Sequence, residues 1–149
     1  MAKTSPMDVL RELAEESLDK AVQHLGKMRQ AHASAVQQRE RLEGYQQEYR
    51  DQMQSAIVGQ GMGIANLINY GAFITSLGRA VDQQTSHIQS CQHKVDEALM
   101  GWKKDKKRLN AFTTLKNRAE SRAALRAGRL DQKLMDEFAQ RASLVREKR

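Results

Sequence analysis

The sequence predicts an all-α chain: a two-helix antiparallel coiled-coil hairpin with a longer second helix that ends in a basic overhang. Three observations carry that reading. The first is a seam. From Ile74 to Phe112, the positions Ile74, Leu77, Val81, Gln84, Ile88, Cys91, Val95, Ala98, Trp102, Asp105, Leu109 and Phe112 follow one another in alternating steps of three and four. That 3.5-residue period keeps one stripe of a helix against a partner helix through a left-handed supercoil. The second is composition. The 149 residues are 29% charged and only 5% aromatic, and they hold a single proline, Pro6. Such a balance suits long helices and argues against a β-rich fold or a compact bundle with a deep cleft. The third is the break at Gly59-Gln60-Gly61-Met62-Gly63, where three alternate glycines interrupt the helical pattern.

Taken in order, the chain reads as one coiled-coil domain, with helix 1 over about 6–57, a glycine-rich tip over 58–65 and helix 2 over about 66–145. Ser5 can cap the first helix. Pro6 suits its first position, where no N–H donor is needed, and Asp8 suits the positive end of the dipole. A weaker seam follows through Leu10, Ala14, Leu18, Ala21, Leu25, Met28, His32, Ala35, Arg39, Leu42, Tyr45, Tyr49 and Met53. A Gly-x-Gly-x-Gly run also belongs to phosphate loops, but those need a preceding strand, and here a long helix precedes it. A turn is the better reading. The second helix then starts near Ile64 or Asn66.

Folding helix 1 back on helix 2 about a tip near Gly61 sets residue i opposite roughly residue 122−i, because both helices rise by ~1.5 Å per residue. Tyr49 then meets Phe73, Leu42 meets Val81, Met28 meets Val95, Ala21 meets Trp102 and Leu10 meets Phe112. Helix 1 runs out where helix 2 reaches about Lys116. The remainder, 117–149, has no intramolecular partner, yet it carries Leu125, Leu130, Leu134, Phe138 and Val145. An unpaired helix with an apolar stripe is either frayed in isolation or completed by another protein, and completion by a partner is the expectation here.

Charge is uneven. Residues 1–100 hold 10 Lys and Arg against 12 Asp and Glu, a balance of −2, whereas residues 101–149 hold 15 against 6, a balance of +9. The basic run Lys103-Lys104-Asp105-Lys106-Lys107-Arg108 is followed by Arg118, Arg122, Arg126 and Arg129 at helical spacing, with Lys133 beyond. Nucleic-acid binding would call for a recognisable module or stacking aromatics among the basic residues, and only Phe112 is there. Membrane-surface binding would call for bulky apolar residues opposite the arginines, where Ala119, Ala123 and Ala124 are small. An acidic protein surface is the target this pattern fits best. A basic nucleic-acid-binding helix and a generic coiled-coil scaffold are the alternatives.

No catalytic set can be assembled, and no cofactor is expected. His87 and Cys91 share a face, but His93 points elsewhere and no fourth ligand is near, so no metal is expected. Cys91, the single cysteine, reads as a small seam residue and fits a reducing compartment. The amino terminus shows no signal peptide, and no run approaches the ~20 apolar residues of a membrane span. A cytoplasmic protein follows as the expectation. The aromatic residues Tyr45, Tyr49, Tyr70 and Phe73 gather near the tip with Gln38, Leu42, Leu77 and Ala80. Tyrosines at a surface are typical interface anchors. One aromatic end and one basic end suggest a connector between two partners.

Several motifs in order complete the reading: Leu10-x-x-Leu13-Ala14-Glu15, Tyr45-x-x-Glu48-Tyr49, Ile68-Asn69-Tyr70-x-x-Phe73-Ile74, Lys94-Val95-Asp96-x-Ala98-Leu99-x-x-Trp102, and Asp131-Gln132-Lys133-x-Met135-Asp136-Glu137-Phe138-Ala139-Gln140-Arg141. Their order and spacing resemble the flagellar type III export protein FliJ family over nearly the whole chain. The resemblance implies a non-enzymatic coiled-coil stalk, similar to the stalk subunit of rotary ATPases. It would insert its joined terminal ends into the flagellar export ATPase hexamer and promote ring assembly. It would also contact the cytoplasmic region of the membrane export gate and escort export chaperones, placing it peripherally at the inner face of the membrane. By position, the gate-binding residues it implies are Gln38, Leu42, Tyr45, Tyr49, Phe73, Leu77 and Ala80; Gln84 stands where the family has His and is left out. The ATPase-facing part would be the start of helix 1 with the basic overhang, here Arg118, Arg122, Arg126, Arg129 and Lys133.

Overall fold

The computed structural model describes residues 5–59 and 61–147. They form two α-helices, α1 (Pro6–Gly59) and α2 (Ile64–Glu147). Ser5 caps α1: its hydroxyl accepts from the Asp8 amide at 3.2 Å, and its carbonyl accepts from the amides of Asp8 and Val9. Between the helices, Gly61 takes φ +69°, a left-handed conformation that L side chains rarely adopt. With Gly59 still helical and Ile64 already so, the reversal is shorter than the 58–65 expected from the glycines alone.

The chain divides into two compact units, one holding the start of α1 through Leu18 with Asp105 onward, the other holding Asp19–Lys104. Each pairs a stretch of α1 with an antiparallel stretch of α2. In the Asp19–Lys104 unit, Tyr49 packs against Phe73 with the rings tilted, Gln46 donates to the Ile74 carbonyl and Gln84 donates to the Ala35 carbonyl. In the other unit, Lys116 grips Asp8. The residue numbers in these four pairs add to 122, 120, 119 and 124, the register set by a tip near Gly61.

Every one of the twelve seam positions expected from Ile74 to Phe112 is buried or half-buried, with Cys91 and Ala98 the most enclosed. On α1 the enclosed residues are Ala14, Leu25 and Ala35. Small side chains thus dominate the contact, which lets the two helices approach closely. Two α1 expectations need correction. Leu10 and Tyr45 stand 45% and 52% exposed, outside the seam, while Arg11 and Gln46 are half-buried in their places. The observed α1 seam runs 7, 11, 14, 18, 21, 25, 28, 32, 35, 39, 42, 46, 49, 53, 56, an unbroken alternation of four and three. Placing Leu10 or Tyr45 inside would put two equal steps in succession and rotate the stripe off its partner. Supercoil geometry therefore outweighs the hydrophobicity of one side chain. Consequently Leu10 does not meet Phe112 from within the seam.

The polar residues drawn in have definite exits. Arg11 and Arg39 lay their stems along the seam and turn their guanidinium groups to Glu15 and Glu43, at 3.6 and 3.9 Å. Gln46 and Gln84 instead donate their amides across the interface to main-chain carbonyls, at 3.3 and 2.9 Å. A Cβ on Gly78 would sit 3.2 Å from the Gln46 amide nitrogen, so this glycine keeps the space that Gln46 occupies. The seam assignment has a direct consequence for stability. Leu25→Ala, which truncates an enclosed side chain, is expected to cost about 2 kcal/mol. Leu10→Ala should change stability by under ~0.5 kcal/mol. Urea denaturation of the two variants checks both, and equal losses would place Leu10 back in the seam.

Candidate interaction surfaces

The residues expected to form an aromatic surface fall on both helices of the Asp19–Lys104 unit. On α1, Gln38 and Tyr45 are exposed and lie one heptad apart on one flank of the seam, while Leu42 and Tyr49 are half-buried within it. On α2, Phe73 is 45% exposed, and Ala80 lies one heptad further on the same flank, with Leu77 in the seam. In an antiparallel pair these two flanks lie side by side, so the seven residues share one side of the unit. Tyr49 ties the halves together. Its ring centroid lies 4.4 Å from Phe73 and 6.2 Å from Tyr70, both tilted, within the spacing of favourable aromatic pairs.

The correction to Tyr45 matters here. Because Gln46 takes the seam position, Tyr45 is left on the surface beside Gln38 and Leu42, where the three line a shallow hollow with Ser34, Gln37 and Arg41. Tyr45 and Phe73 are the exposed aromatic members of the set, whereas Tyr49 braces the seam beneath them. Gln84 faces inward to the Ala35 carbonyl.

The second surface belongs to the other unit. Here α1 begins and α2 continues past it, because α2 is 84 residues long and α1 is 54. Lys116 is the last half-buried residue of α2, and every described residue from 117 to 147 is exposed. Arg118, Arg122, Arg126, Arg129 and Lys133 all lie on this stretch. So do Leu125, Leu130, Leu134, Met135, Phe138, Leu144 and Val145, each 54–74% exposed. Exposed apolar side chains in such number are a feature of interaction surfaces in other proteins.

The boundary between paired and unpaired helix is a clasp. Lys116 Nζ lies 2.9 Å from the Asp8 carboxylate. The Lys116 hydrogen bond, then that of Ser5, holds the Asp8 carboxyl below its ordinary value. In the sequence Asp8 stands out only as a helix-start residue. The register rule sets it opposite Thr114, and Lys116, two residues on, is within reach of that point. A carboxylate and a lysine this close in register are the signal from which the pair could be found.

Two helices paired along a seam define the class: a coiled-coil protein. A family model described as Flagellar FliJ protein matches residues 3–148. Two proteins called Flagellar FliJ protein, from Salmonella typhi and from Escherichia coli (strain K12), are each 40% identical to this chain over 144 residues, covering 97% of it and 97% of their own length. The chain belongs to the FliJ family, and is a non-enzymatic component of flagellar protein export. No described helix is long and apolar enough to cross a membrane.

The clasp predicts a pH signature. Asp8 has a lowered folded-state pKa, so its contribution is present above the unfolded aspartate value of about 3.9 and is lost as pH falls through the folded value. Thermal unfolding followed between about pH 6 and 3 should show a smaller acid-induced drop in Tm for Asp8→Asn than for the parent chain. Identical drops would mean that the clasp adds nothing.

Proposed function

We propose that this chain is the stalk of the flagellar export ATPase: it binds the ATPase hexamer through its basic end, promotes ring assembly, links the ring to the membrane export gate and escorts export chaperones. The observation that carries the reading is the stretch from 117 to 147, wholly exposed, apolar on some faces and dense in arginine. A helix of this kind is stabilised when an acidic, apolar-lined partner covers it. Binding the assembled ring better than its free subunits then favours assembly by mass action, with no chemistry performed by the stalk.

The gate would meet the aromatic surface, Gln38, Leu42, Tyr45, Tyr49, Phe73, Leu77 and Ala80. Exposed Tyr45 and Phe73 supply rigid aromatic area at low entropic cost, and the seam residues beneath keep them in place. Residues Arg118, Arg122, Arg126, Arg129 and Lys133 would face the ATPase. On this reading the chain works in the cytoplasm, peripherally at the inner face of the membrane at the flagellar base.

ATP hydrolysis by the cognate export ATPase, at dilute protein and moderate salt, tests the basic end. The full chain should raise activity and ring formation, and Arg118→Glu with Arg122→Glu, Arg126→Glu and Arg129→Glu should abolish both effects while helicity is retained. Stimulation undiminished by the four reversals would rule out the basic overhang as the ATPase contact. For the other surface, Tyr45→Ala with Phe73→Ala should weaken binding to the cytoplasmic gate fragment about tenfold, or ~1.4 kcal/mol. ATPase stimulation should be intact in that variant. Unchanged gate affinity would remove the aromatic surface from the proposal.

A further inference from the structure

Residues 52 through 78 contain no Asp, Glu, Lys, Arg or His, in a chain that is 29% charged. This segment is the end of α1, the reversal at Gly61 and the first four turns of α2. It also holds the most exposed aliphatic residues of its unit: Val58 is 80% exposed, Ile64 77% and Ile68 63%, with Ile57 and Leu67 less so. Neither the aromatic surface nor the basic overhang uses them.

Their directions discriminate between occupants. At about 100° per residue, Val58 points almost opposite to the α1 seam positions Met53 and Ala56, and Ile68 points about 160° from the α2 seam position Tyr70 and about 120° from Ile74. Aliphatic groups therefore face outward on both helices, around the end of the hairpin. A flat partner, or a second copy laid alongside, covers one side and leaves the other wet. A fluid apolar medium covers both. The missing charges point the same way, since no ion must be desolvated when the tip leaves water. Depth is limited by the backbone: the last carbonyls of α1 and the first N–H groups of α2 meet at the tip and still require hydrogen-bond partners. Such groups stay hydrated at the headgroup level, with the aliphatic side chains in the acyl boundary below.

We propose that the hairpin tip, centred on Val58, Ile64 and Ile68, is a membrane-contact site that inserts shallowly into the interface of a lipid bilayer by apolar contact alone. The proposal stands on the tip and does not depend on the stalk reading. It makes the interaction independent of lipid charge and of salt, unlike any attraction of the basic overhang to anionic headgroups, which salt screens.

The test is co-sedimentation of the full chain with two sets of vesicles: pure phosphatidylcholine, and phosphatidylcholine with phosphatidylglycerol, each at low and at about 0.5 M salt, where the Debye length is only a few ångströms. Partition onto the neutral vesicles at both salt concentrations is expected. It should fall at least about tenfold in Val58→Asp with Ile64→Asp, and in the milder Val58→Ser with Ile64→Ser and Ile68→Ser. Partition onto the neutral vesicles should be unchanged in Arg126→Glu with Arg129→Glu. Circular dichroism of each variant confirms that the helices persist. Absence of binding to neutral vesicles overturns the proposal, as does binding confined to anionic vesicles and lost at high salt. A concentration-dependent dimer that the tip substitutions dissociate, with no change in vesicle partition, would assign the tip to a second copy instead.

Discussion

The structure depends on one constraint: two helices that have only each other must keep a single stripe in contact over many turns. A straight α-helix repeats every 3.6 residues and would carry that stripe away from its partner, so the pair supercoils and the stripe repeats every 3.5. A two-helix interface is also thin. Its most enclosed residues are Ala14, Leu25, Ala35, Cys91 and Ala98, most of them small, and none of the larger side chains among the described residues is fully buried. Packing closely along a narrow line replaces packing deeply in a core.

That constraint explains why polar residues sit where leucine would pack better. Arg11, Arg39, Gln46 and Gln84 occupy seam positions because the alternation of steps demands a residue there, whatever its type. Their polar groups follow two routes, and only the glutamines gain a hydrogen bond, since the Nε atoms of Arg11 and Arg39 are buried without one. The arginines reach outward to a glutamate one turn on, and the glutamines reach across to a carbonyl of the facing helix. The crossing bonds are the more informative, since an amide that bonds Ile74 or Ala35 fits one register and not its neighbours. Half-buried polar groups at a seam trade some stability for a defined alignment. The alignment matters because the aromatic surface is shared between helices, and Tyr49 meets Phe73 only in this register.

The same geometry frees surfaces in three places. Flank positions beside the seam carry Gln38, Tyr45, Phe73 and Ala80. The inequality of the two helices leaves every described residue of 117–147 exposed, and the Lys116–Asp8 clasp lies where that exposed stretch begins. The reversal ends in an uncharged cap. The three differ in chemistry, being aromatic, basic and aliphatic, on a chain that is a non-enzymatic component of flagellar protein export.

By itself the sequence determined the helices, the turn, the whole α2 seam and the existence of an unpaired basic end. These follow from local facts: the spacing of apolar residues, the positions of Pro6 and of three glycines, and a charge imbalance. The aromatic site was legible as a cluster, though its division into exposed and bracing members was not. Steps of three and four fit a single helix equally well, since both lie close to 3.6, so hydrophobicity alone favoured Leu10 and Tyr45 over Arg11 and Gln46. Only contact with the second helix decides which step comes next, because only there does a repeated step rotate the stripe away from something. The partner helix therefore turned Tyr45 outward and brought Lys116 to Asp8, through interactions that no single helix contains.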